Sequence, residues 1–249
     1  MFLVFANWKM NPSSLKEAKK IFQEIEKGFS YTKSTELILC PPFLYFPYLK
    51  ADQKSKIKWG AQNCFWERKG AFTGEISPQM LKDLGFKYVI LGHSERRIYF
   101  KESDQDINKK LKAVLKLKMT PVLCFGENQK ERKQGNTGEV IENQLLGALE
   151  GLSRNEVVKI IFAYEPVWAV FGDEWCPIKE VLKIRDLVEN VLIQKFGKKM
   201  KQISFIYGGS VDSKNVKDYL VPGKIQGVLV GSASLKASEL LKIIKIFSS

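Results

Sequence analysis

Eight short β-rich runs, separated by segments of helical periodicity, constrain the fold of this chain most strongly. Each run is nearly continuous in apolar residues, which is typical of parallel strands buried on both faces. Strict alternation repeated eight times predicts a closed (β/α)8 barrel of the α/β class, because an open sheet usually has fewer strands. The predicted strands are residues 2–6, 37–40, 57–61, 88–91, 121–125, 160–164, 203–207 and 227–230.

The segments between these runs place apolar residues on one helical face and Lys or Glu on the other. Gly28 is a stop signal after the first of them. No Pro-, Gly- or Ser-rich linker interrupts the chain, so we expect residues 1–249 to form one domain. The apolar faces of the first and last predicted helices are Leu15, Ala18, Phe22 and Ile25, and Leu240, Ile243, Ile244 and Phe247.

The net charge of +13, from 40 basic and 27 acidic side chains, would suit an anionic partner. The lysines, however, are spread over the predicted helices, and the densest run, residues 195–201, fits a helix end and its connection. A nucleic-acid binder would need a basic stripe with interleaved aromatic residues, and neither is evident. We therefore expect a basic solvated surface and no nucleic-acid partner.

The remaining composition argues against metal and membrane classes. The four cysteines lie 24, 60 and 52 positions apart and the chain has one histidine, so no metal site is expected. No stretch approaches the roughly 20 apolar residues of a membrane span, and the apolar run at the N-terminus is too short for a secretory signal. These observations predict a cytoplasmic protein with reduced thiols and no membrane association.

Small and polar residues gather directly after the predicted strands. In a barrel all carboxyl ends of the strands meet at one face, where active sites are built. The pattern therefore predicts a functional site at that face. The residues are Asn7, Lys9, Gln62, Asn63, Gly92, His93, Ser94, Glu95, Gly126, Glu127, Glu165, Gly208, Gly209, Ser210, Gly231 and Ser232.

His93 follows the fourth predicted strand, and the sequence Ser94-Glu95-Arg96-Arg97 after it is typical of a helix start. The N–H groups and the dipole at a helix start disfavour an imidazolium, so His93 is a candidate neutral hydrogen-bond donor. The alternative is a structural histidine whose hydrogen bonds are satisfied.

Glu165 ends the sixth predicted strand, with Tyr164, Pro166 and Trp168 close by in sequence. A poorly solvated carboxylate binds a proton more readily than one in water, which suits a general base. The alternative is a buried glutamate paired with a lysine or arginine.

Lys9, after the first predicted strand, would supply a fixed positive charge near an anionic intermediate or a phosphate. A surface lysine is the alternative.

Gly208-Gly209-Ser210 and Gly231-Ser232 follow the last two strands, where barrels frequently bind phosphate through backbone N–H groups. Either glycine-containing segment alone would fit an ordinary tight turn, whereas the two segments together favour a phosphate site.

Six segments together resemble the triosephosphate isomerase family, in family order and spacing across nearly the whole chain. The resemblance implies a (β/α)8 barrel and an aldose–ketose isomerase of glycolysis and gluconeogenesis. Such an enzyme interconverts dihydroxyacetone phosphate and D-glyceraldehyde 3-phosphate through an enediolate, without a cofactor. The segments are Asn7-Trp8-Lys9-Met10-Asn11, Gly70-Ala71-Phe72-Thr73-Gly74-Glu75, Gly92-His93-Ser94-Glu95-Arg96-Arg97, Ala163-Tyr164-Glu165-Pro166-Val167-Trp168-Ala169, Tyr207-Gly208-Gly209-Ser210-Val211 and Gly231-Ser232-Ala233-Ser234.

The same resemblance implies roles for individual residues. Glu165 resembles the base that moves the proton between adjacent carbons, and His93 resembles the neutral electrophile that polarises the carbonyl. Lys9 resembles the cationic stabiliser. Asn7 is similar to a residue that places the substrate, and Glu95 is similar to the second carboxylate of the site.

The phosphate site and the subunit contact are implied in the same way. Ser210, Gly231 and Ser232 resemble the phosphate-binding positions, and Cys124 resembles a neighbouring structural position. Residues 70–75 resemble the loop that inserts into a second subunit near its catalytic lysine, with Thr73 at the tip. The resemblance therefore implies a homodimer.

The chain departs from the family at the mobile lid after Ala169, where a small, glycine-rich tip is usual. Residues 171–176 read Phe-Gly-Asp-Glu-Trp-Cys, and Phe171 stands where a glycine normally offers its N–H to the phosphate. Asp173 and Glu174 add negative charge near a dianion. We expect less favourable lid closure, and the alternative function is a phosphate-binding barrel with weakened catalysis.

Overall fold

In a computed structural model, the chain is described at residues 1–172, 174–200 and 203–248, except for the side chains of Lys199 and Ser248. Eight parallel strands close into a barrel in the order β1 to β8. All eight predicted strands form, each within two residues of its predicted bounds. They are β1 Phe2–Asn7, β2 Thr35–Cys40, β3 Lys58–Ala61, β4 Tyr88–Leu91, β5 Thr120–Phe125, β6 Ile161–Tyr164, β7 Ser204–Tyr207 and β8 Gly227–Val230.

Helices cover the outside of the barrel, as the alternating pattern predicts. They are α1 Leu15–Gly28, α2 Phe46–Ala51, α3 Pro78–Asp83, α4 Ser94–Tyr99, α5 Asp104–Lys116, α6 Gln129–Lys133, α7 Thr137–Ala148, α8 Arg154–Val157, α9 Val167–Val170, α10 Ile178–Phe196 and α11 Ala237–Ser248. Short 3-10 helices lie at Lys198–Met200, Val216–Tyr219 and Ser232–Leu235.

One connection differs from the helical expectation. Between β7 and β8 the chain forms the 3-10 helix Val216–Tyr219 instead of an α-helix. The Asp212 carboxylate accepts bonds from the N–H groups of Lys214 and Asn215, which fixes a local turn. Pro222 and Gly223 follow at once and leave no room for further helical turns.

Two apolar layers make up the core. Alternate strand residues, such as Phe5, Ile90 and Cys124, fill the inside of the barrel. The other strand residues pack against the apolar helix faces in a second, outer layer. In α1 the side chains of Ala18, Ile21, Phe22 and Ile25 are buried, and in α11 those of Leu240, Ile243, Ile244 and Phe247 are buried.

The strand register brings the carboxyl ends together at one face of the barrel. Asn7 of β1 pairs with Cys40 of β2, and Phe125 of β5 pairs with Tyr164 of β6. The segments that follow the strands therefore surround a single opening. Within the described ranges, no helix has the length and apolar character needed to cross a membrane. The same ranges contain no cluster of three or more His, Cys, Asp or Glu that would hold a metal ion.

Candidate active site

A cavity of about 200 Å³ opens at the carboxyl ends of the strands. Segments that follow β1, β4, β6, β7 and β8 line it, so residues more than 200 positions apart meet there. The lining residues are Asn7, Lys9, His93, Glu165, Val170, Gly208, Ser210, Val211, Asp212, Leu229, Gly231, Ser232 and Ala233. Eight of these residues are in the set predicted from the sequence: Asn7, Lys9, His93, Glu165, Gly208, Ser210, Gly231 and Ser232.

The Glu165 carboxylate is the most buried acidic group in the cavity, with 1% of the residue exposed. Its Oε2 accepts a hydrogen bond of 3.0 Å from the N–H of Ser94. Its Oε1 lies 3.3 Å from Nε2 of His93 and has no hydrogen-bond partner of acceptable geometry. Within the described chain, neither a lysine nor an arginine lies within ion-pair distance of this carboxylate, so the lysine- or arginine-paired alternative does not apply there.

Two glycines make room for this carboxylate. A Cβ atom on Gly126 would lie 2.1 Å from the carbonyl oxygen of Glu165, and a Cβ on Gly208 would lie 2.9 Å from its Cγ. Both distances are far below ordinary carbon contacts of about 3.5–4.0 Å. The position of Glu165 therefore depends on the absence of side chains at these two positions.

The orientation of the His93 ring follows from its place at the start of α4. His93 is the N-cap of this helix, and its Nδ1 accepts a bond of 3.2 Å from the N–H of Glu95. A nitrogen that accepts from an N–H carries no proton, so the proton of the neutral ring belongs on Nε2. Nε2 lies 3.3 Å from Oε1 of Glu165, but its N–H is not aligned for a hydrogen bond to that oxygen. The predicted helix start after His93 is confirmed.

Gly92, directly before this histidine, has a backbone conformation that favours glycine. Its φ is +70°, and a Cβ would meet the carbonyl oxygen of Cys124 at 3.1 Å. Arg97 donates to the carbonyl oxygen of Gly92 at 2.8 Å. The turn before His93 therefore requires a glycine at position 92, and the hydrogen bond from Arg97 stabilises it.

Lys9 follows β1 and lines the same cavity as Glu165. Its own N–H donates to Oδ1 of Asn7 at 3.0 Å, and its carbonyl oxygen accepts from Nε2 of Gln62 at 2.8 Å. Its ammonium group forms an ion pair of 2.8 Å with Oε1 of Glu95. The other oxygen of Glu95 lies 3.6 Å from Nδ1 of His93. Glu95 thus binds the cation through its carboxylate and the imidazole through its backbone N–H.

Glu95 lines a second cavity of about 390 Å³ rather than the first. Asn7, Lys9 and His93 border both cavities. The structure therefore brings Glu95 next to the site without placing it in the cavity that holds Glu165. Thr73 is exposed in the turn between β3 and α3 and borders neither cavity.

The far end of the first cavity is built from small residues. Gly231 and Ser232 open the 3-10 helix Ser232–Leu235, whose first N–H groups have no partner within the turn. A Cβ on Gly231 would approach Cε of Lys9 to 3.3 Å. Ser210 has a φ of +52°, and its carbonyl oxygen accepts from Nδ2 of Asn215 at 2.9 Å. This end of the cavity can offer backbone donors to an anion.

The segment after β6 forms the single turn α9, whose last residue, Val170, borders the cavity. Nε1 of Trp168 donates to Glu127 at 2.8 Å, and the Arg132 guanidinium lies 3.6 Å from the centroid of the Trp168 ring. The hydroxyl of Tyr164 also donates to Glu127 at 3.1 Å. Burial raises the pKa of Glu127 above its usual value, while these hydrogen bonds oppose the shift.

Phe171 follows α9 and lies outside both cavities, whereas Val170 borders the first. The N–H of Phe171 donates to the carbonyl oxygen of Val167 at 3.1 Å, so in this conformation it is not available to a ligand. Further along the chain, the N–H of Cys176 donates to the hydroxyl of Tyr207 at 3.0 Å. The hydroxyl of Tyr219 donates to the carbonyl oxygen of Cys176 at 2.8 Å. Asp173, which we expect to affect closure, lies outside the described residues.

Comparisons with known proteins identify the family of the chain. The sequence model of the family described as triosephosphate isomerase matches residues 2–247. The chain belongs to the triosephosphate isomerase family. Relatives named triosephosphate isomerase include a protein of Dictyoglomus turgidum, 42% identical over 98% of both chains. A protein of that name from Aquifex aeolicus is 41% identical over 98% of this chain and 99% of its own.

Membership of the triosephosphate isomerase family confirms the resemblance drawn from the six motifs. The (β/α)8 fold is confirmed by the closed barrel. The roles of Glu165, His93 and Lys9 remain predictions. Gln62 and Glu127 were predicted to lie at this face, but the sequence indicated no role for either. Gln62 bonds Lys9, which is 53 positions away in sequence, and Glu127 bonds Trp168, which is 41 positions away.

Proposed function

We propose that this chain is a triosephosphate isomerase that interconverts dihydroxyacetone phosphate and D-glyceraldehyde 3-phosphate. One observation carries the proposal: the buried Oε1 of Glu165 lacks a hydrogen-bond partner and lies 3.3 Å from Nε2 of His93, in a cavity that Lys9 also lines. An orphaned carboxylate oxygen is costly in a folded protein. A ligand that brings a proton to it would relieve that cost, as a substrate for a general base does.

In the proposed reaction, Glu165 removes a proton from the carbon next to the carbonyl and returns it to the neighbouring carbon. The C–H electrons move into the bond between the two carbons, and the carbonyl oxygen becomes an enediolate oxygen. Nε2–H of His93 donates to that oxygen and moves the hydroxyl proton between the two oxygens. No electrons leave the substrate, so the reaction needs no redox cofactor.

Lys9 stabilises the enediolate in this proposal. Its ammonium group is a fixed charge that is already ion-paired with Glu95 at 2.8 Å and therefore needs little reorganisation during the reaction. Asn7 supports the Lys9 backbone at 3.0 Å and helps to place the substrate. Glu95 positions both Lys9 and His93.

We propose that the substrate phosphate binds at the glycine-rich end, through the backbone of Ser210, Gly231 and Ser232. Closure of the lid would add the N–H of Phe171 and exclude water from the enediolate. The unusual sequence of residues 171–176 makes closure less favourable in this proposal. Loss of phosphate from the intermediate is then more frequent than with a glycine-rich tip.

We further propose that the enzyme is a homodimer of the cytoplasm, with Thr73 at the subunit contact. Large apolar side chains are exposed in segments after the first four strands, and exposed apolar patches mark protein interfaces. These side chains are Met10, Leu44, Tyr48, Phe72 and Phe100.

A coupled assay of glyceraldehyde 3-phosphate conversion tests the activity, with Glu165→Gln and His93→Gln measured in parallel. We expect both variants to lose at least about a hundredfold in kcat, the usual contribution of acid–base groups. Glu24→Gln, on the exposed face of α1, is the matched control and should retain wild-type activity. No turnover by the folded wild type would refute the proposed activity and favour the phosphate-binding alternative. Full activity in Glu165→Gln would refute the role of that residue.

A further inference from the structure

An aromatic contact outside the cavity holds the tip of the segment that follows β6. Phe171 is 48% exposed as a residue, and its ring meets the Tyr99 ring edge-on, with 6.4 Å between centroids and 82° between planes. Tyr99 is the last residue of α4 and is 66% exposed. Edge-to-face pairs at this separation attract each other. The Phe171 side chain, which would otherwise project into water, therefore packs against α4.

The helix that carries Tyr99 is itself firmly attached. Arg97 of α4 bonds the carbonyl oxygen of Gly92 at 2.8 Å, Asp104 at 2.7 Å and the carbonyl oxygen of Cys124 at 3.3 Å. Arg96 adds an ion pair of 3.4 Å with Glu102. Because α4 is anchored to β4, β5 and α5, the contact restrains Phe171 rather than the helix.

The aromatic contact coexists with a conformation that does not suit phosphate binding. The N–H of Phe171 is bonded to the carbonyl oxygen of Val167, and the hydroxyl of Ser210 donates to the carbonyl oxygen of Ala169. A phosphate that uses the N–H of Phe171 must break the bond to Val167. Since the N–H and the ring belong to the same residue, that movement also displaces the ring from the position in which it meets Tyr99.

We propose that Tyr99 is a positioning residue that acts through Phe171: it holds the tip away from the phosphate site and weakens the binding of phosphorylated ligands. The inference rests on the proposed function, from which it takes its ligand. Apparent affinity falls in proportion to the fraction of molecules in the binding-competent conformation. Since the pair is partly exposed, removing it should tighten binding by about two- to fivefold.

The test is the dissociation constant of 2-phosphoglycolate, measured by calorimetry for the wild type and for Tyr99→Ser. We expect tighter binding in Tyr99→Ser and wild-type binding in Tyr99→Phe, which keeps the ring. Tyr31→Ser, in the segment between α1 and β2 at the opposite end of the barrel, is the matched control for loss of an exposed tyrosine. General damage to the fold would weaken binding, so a gain in affinity has the opposite sign to damage.

A second readout compares substrates with and without the phosphate group. In Tyr99→Ser, kcat/KM should rise for glyceraldehyde 3-phosphate and stay unchanged for glyceraldehyde, which has no phosphate to engage the tip. Phe171→Leu removes the other ring and should shift both measurements in the same direction. It replaces Tyr99→Ser if sedimentation shows that the latter alters the assembly of the protein.

The outcomes separate this inference from the proposed function. An active wild type whose two variants bind 2-phosphoglycolate no more tightly than wild type overturns the role of Tyr99 and leaves the isomerase intact. An inactive wild type whose Tyr99→Ser variant binds the probe more tightly supports the role of Tyr99 and overturns the isomerase. A wild type that neither turns over substrate nor binds the probe overturns both.

Discussion

Replacing Gly208 by alanine should displace the side chain of Glu165, the proposed base, while leaving that residue itself unchanged. The new Cβ would lie 2.9 Å from Cγ of Glu165, about 0.6 Å short of the roughly 3.5 Å at which carbon atoms pack. Cβ of Leu229 would lie 3.4 Å from the same atom and restricts movement of the alanine itself. Gly208 does not have a positive φ, so its backbone accepts alanine and the effect is steric. Glu165 must therefore shift by about half an ångström or more.

A displacement of about 1 Å in a reacting group can cost about a hundredfold in rate. We therefore expect kcat of Gly208→Ala to fall by roughly 10- to 100-fold, with a smaller change in KM, since the base acts in the transition state. Steady-state kinetics in both directions measure this, together with the thermal midpoint of unfolding.

Gly138→Ala is the matched control for this substitution. Gly138 lies in α7, and the nearest atom to its new Cβ would be Cδ2 of Leu187 at 4.0 Å, an ordinary contact. Its kcat should equal that of the wild type, and its thermal midpoint should not fall. If Gly208→Ala folds normally and keeps kcat within threefold of the wild type, the argument that Gly208 positions Glu165 is wrong.

Two further predictions concern stability and assembly. Ser103→Ala should lower the free energy of unfolding by about 1 kcal/mol near pH 7, because Ser103 caps α5. The Ser103 hydroxyl also lowers the pKa of Asp106, so this stabilisation is present above the unfolded pKa and declines as the pH falls through the folded pKa. Urea unfolding at about pH 7 and pH 2 measures it, and an equal loss at both values would contradict the coupling to Asp106. For assembly, the wild type should sediment at twice the chain mass and Phe72→Asp at the chain mass. A monomeric wild type would contradict the proposed dimer.

The barrel was largely predictable because apolar runs and helical periodicity are local properties of the chain. The bounds of β2 show the limit of that reasoning. This strand begins at Thr35, although Thr35 and Glu36 are polar and the apolar run starts at Leu37. The Thr35 hydroxyl donates to the carbonyl oxygen of Phe247, and Glu36 is bonded by Tyr88. Those partners lie 212 and 52 positions away, beyond the reach of a local pattern.

The candidate site was predictable in its members but not in its hydrogen bonds. Residues that follow strands in a parallel barrel must converge, so the positions of His93 and Glu165 in sequence were sufficient to group them. Their geometry depends on other elements: the N–H of Ser94 holds one oxygen of Glu165, and the glycine at position 208 gives it room. Neither contact has a sequence signal that identifies its partner.

The sequence by itself determined the number and order of strands, the helix start after His93 and the family, since each depends on residue type and spacing along the chain. Only the tertiary structure decided that Nδ1 of His93 accepts a hydrogen bond and that Oε1 of Glu165 has no partner. It also decided that the N–H of Phe171 is bonded to Val167 and that its ring rests on Tyr99. The physical reason is that hydrogen bonds and ring contacts form only within narrow limits of distance and angle. Each polar group has many potential partners in the sequence, and only the closed barrel brings one of them within those limits.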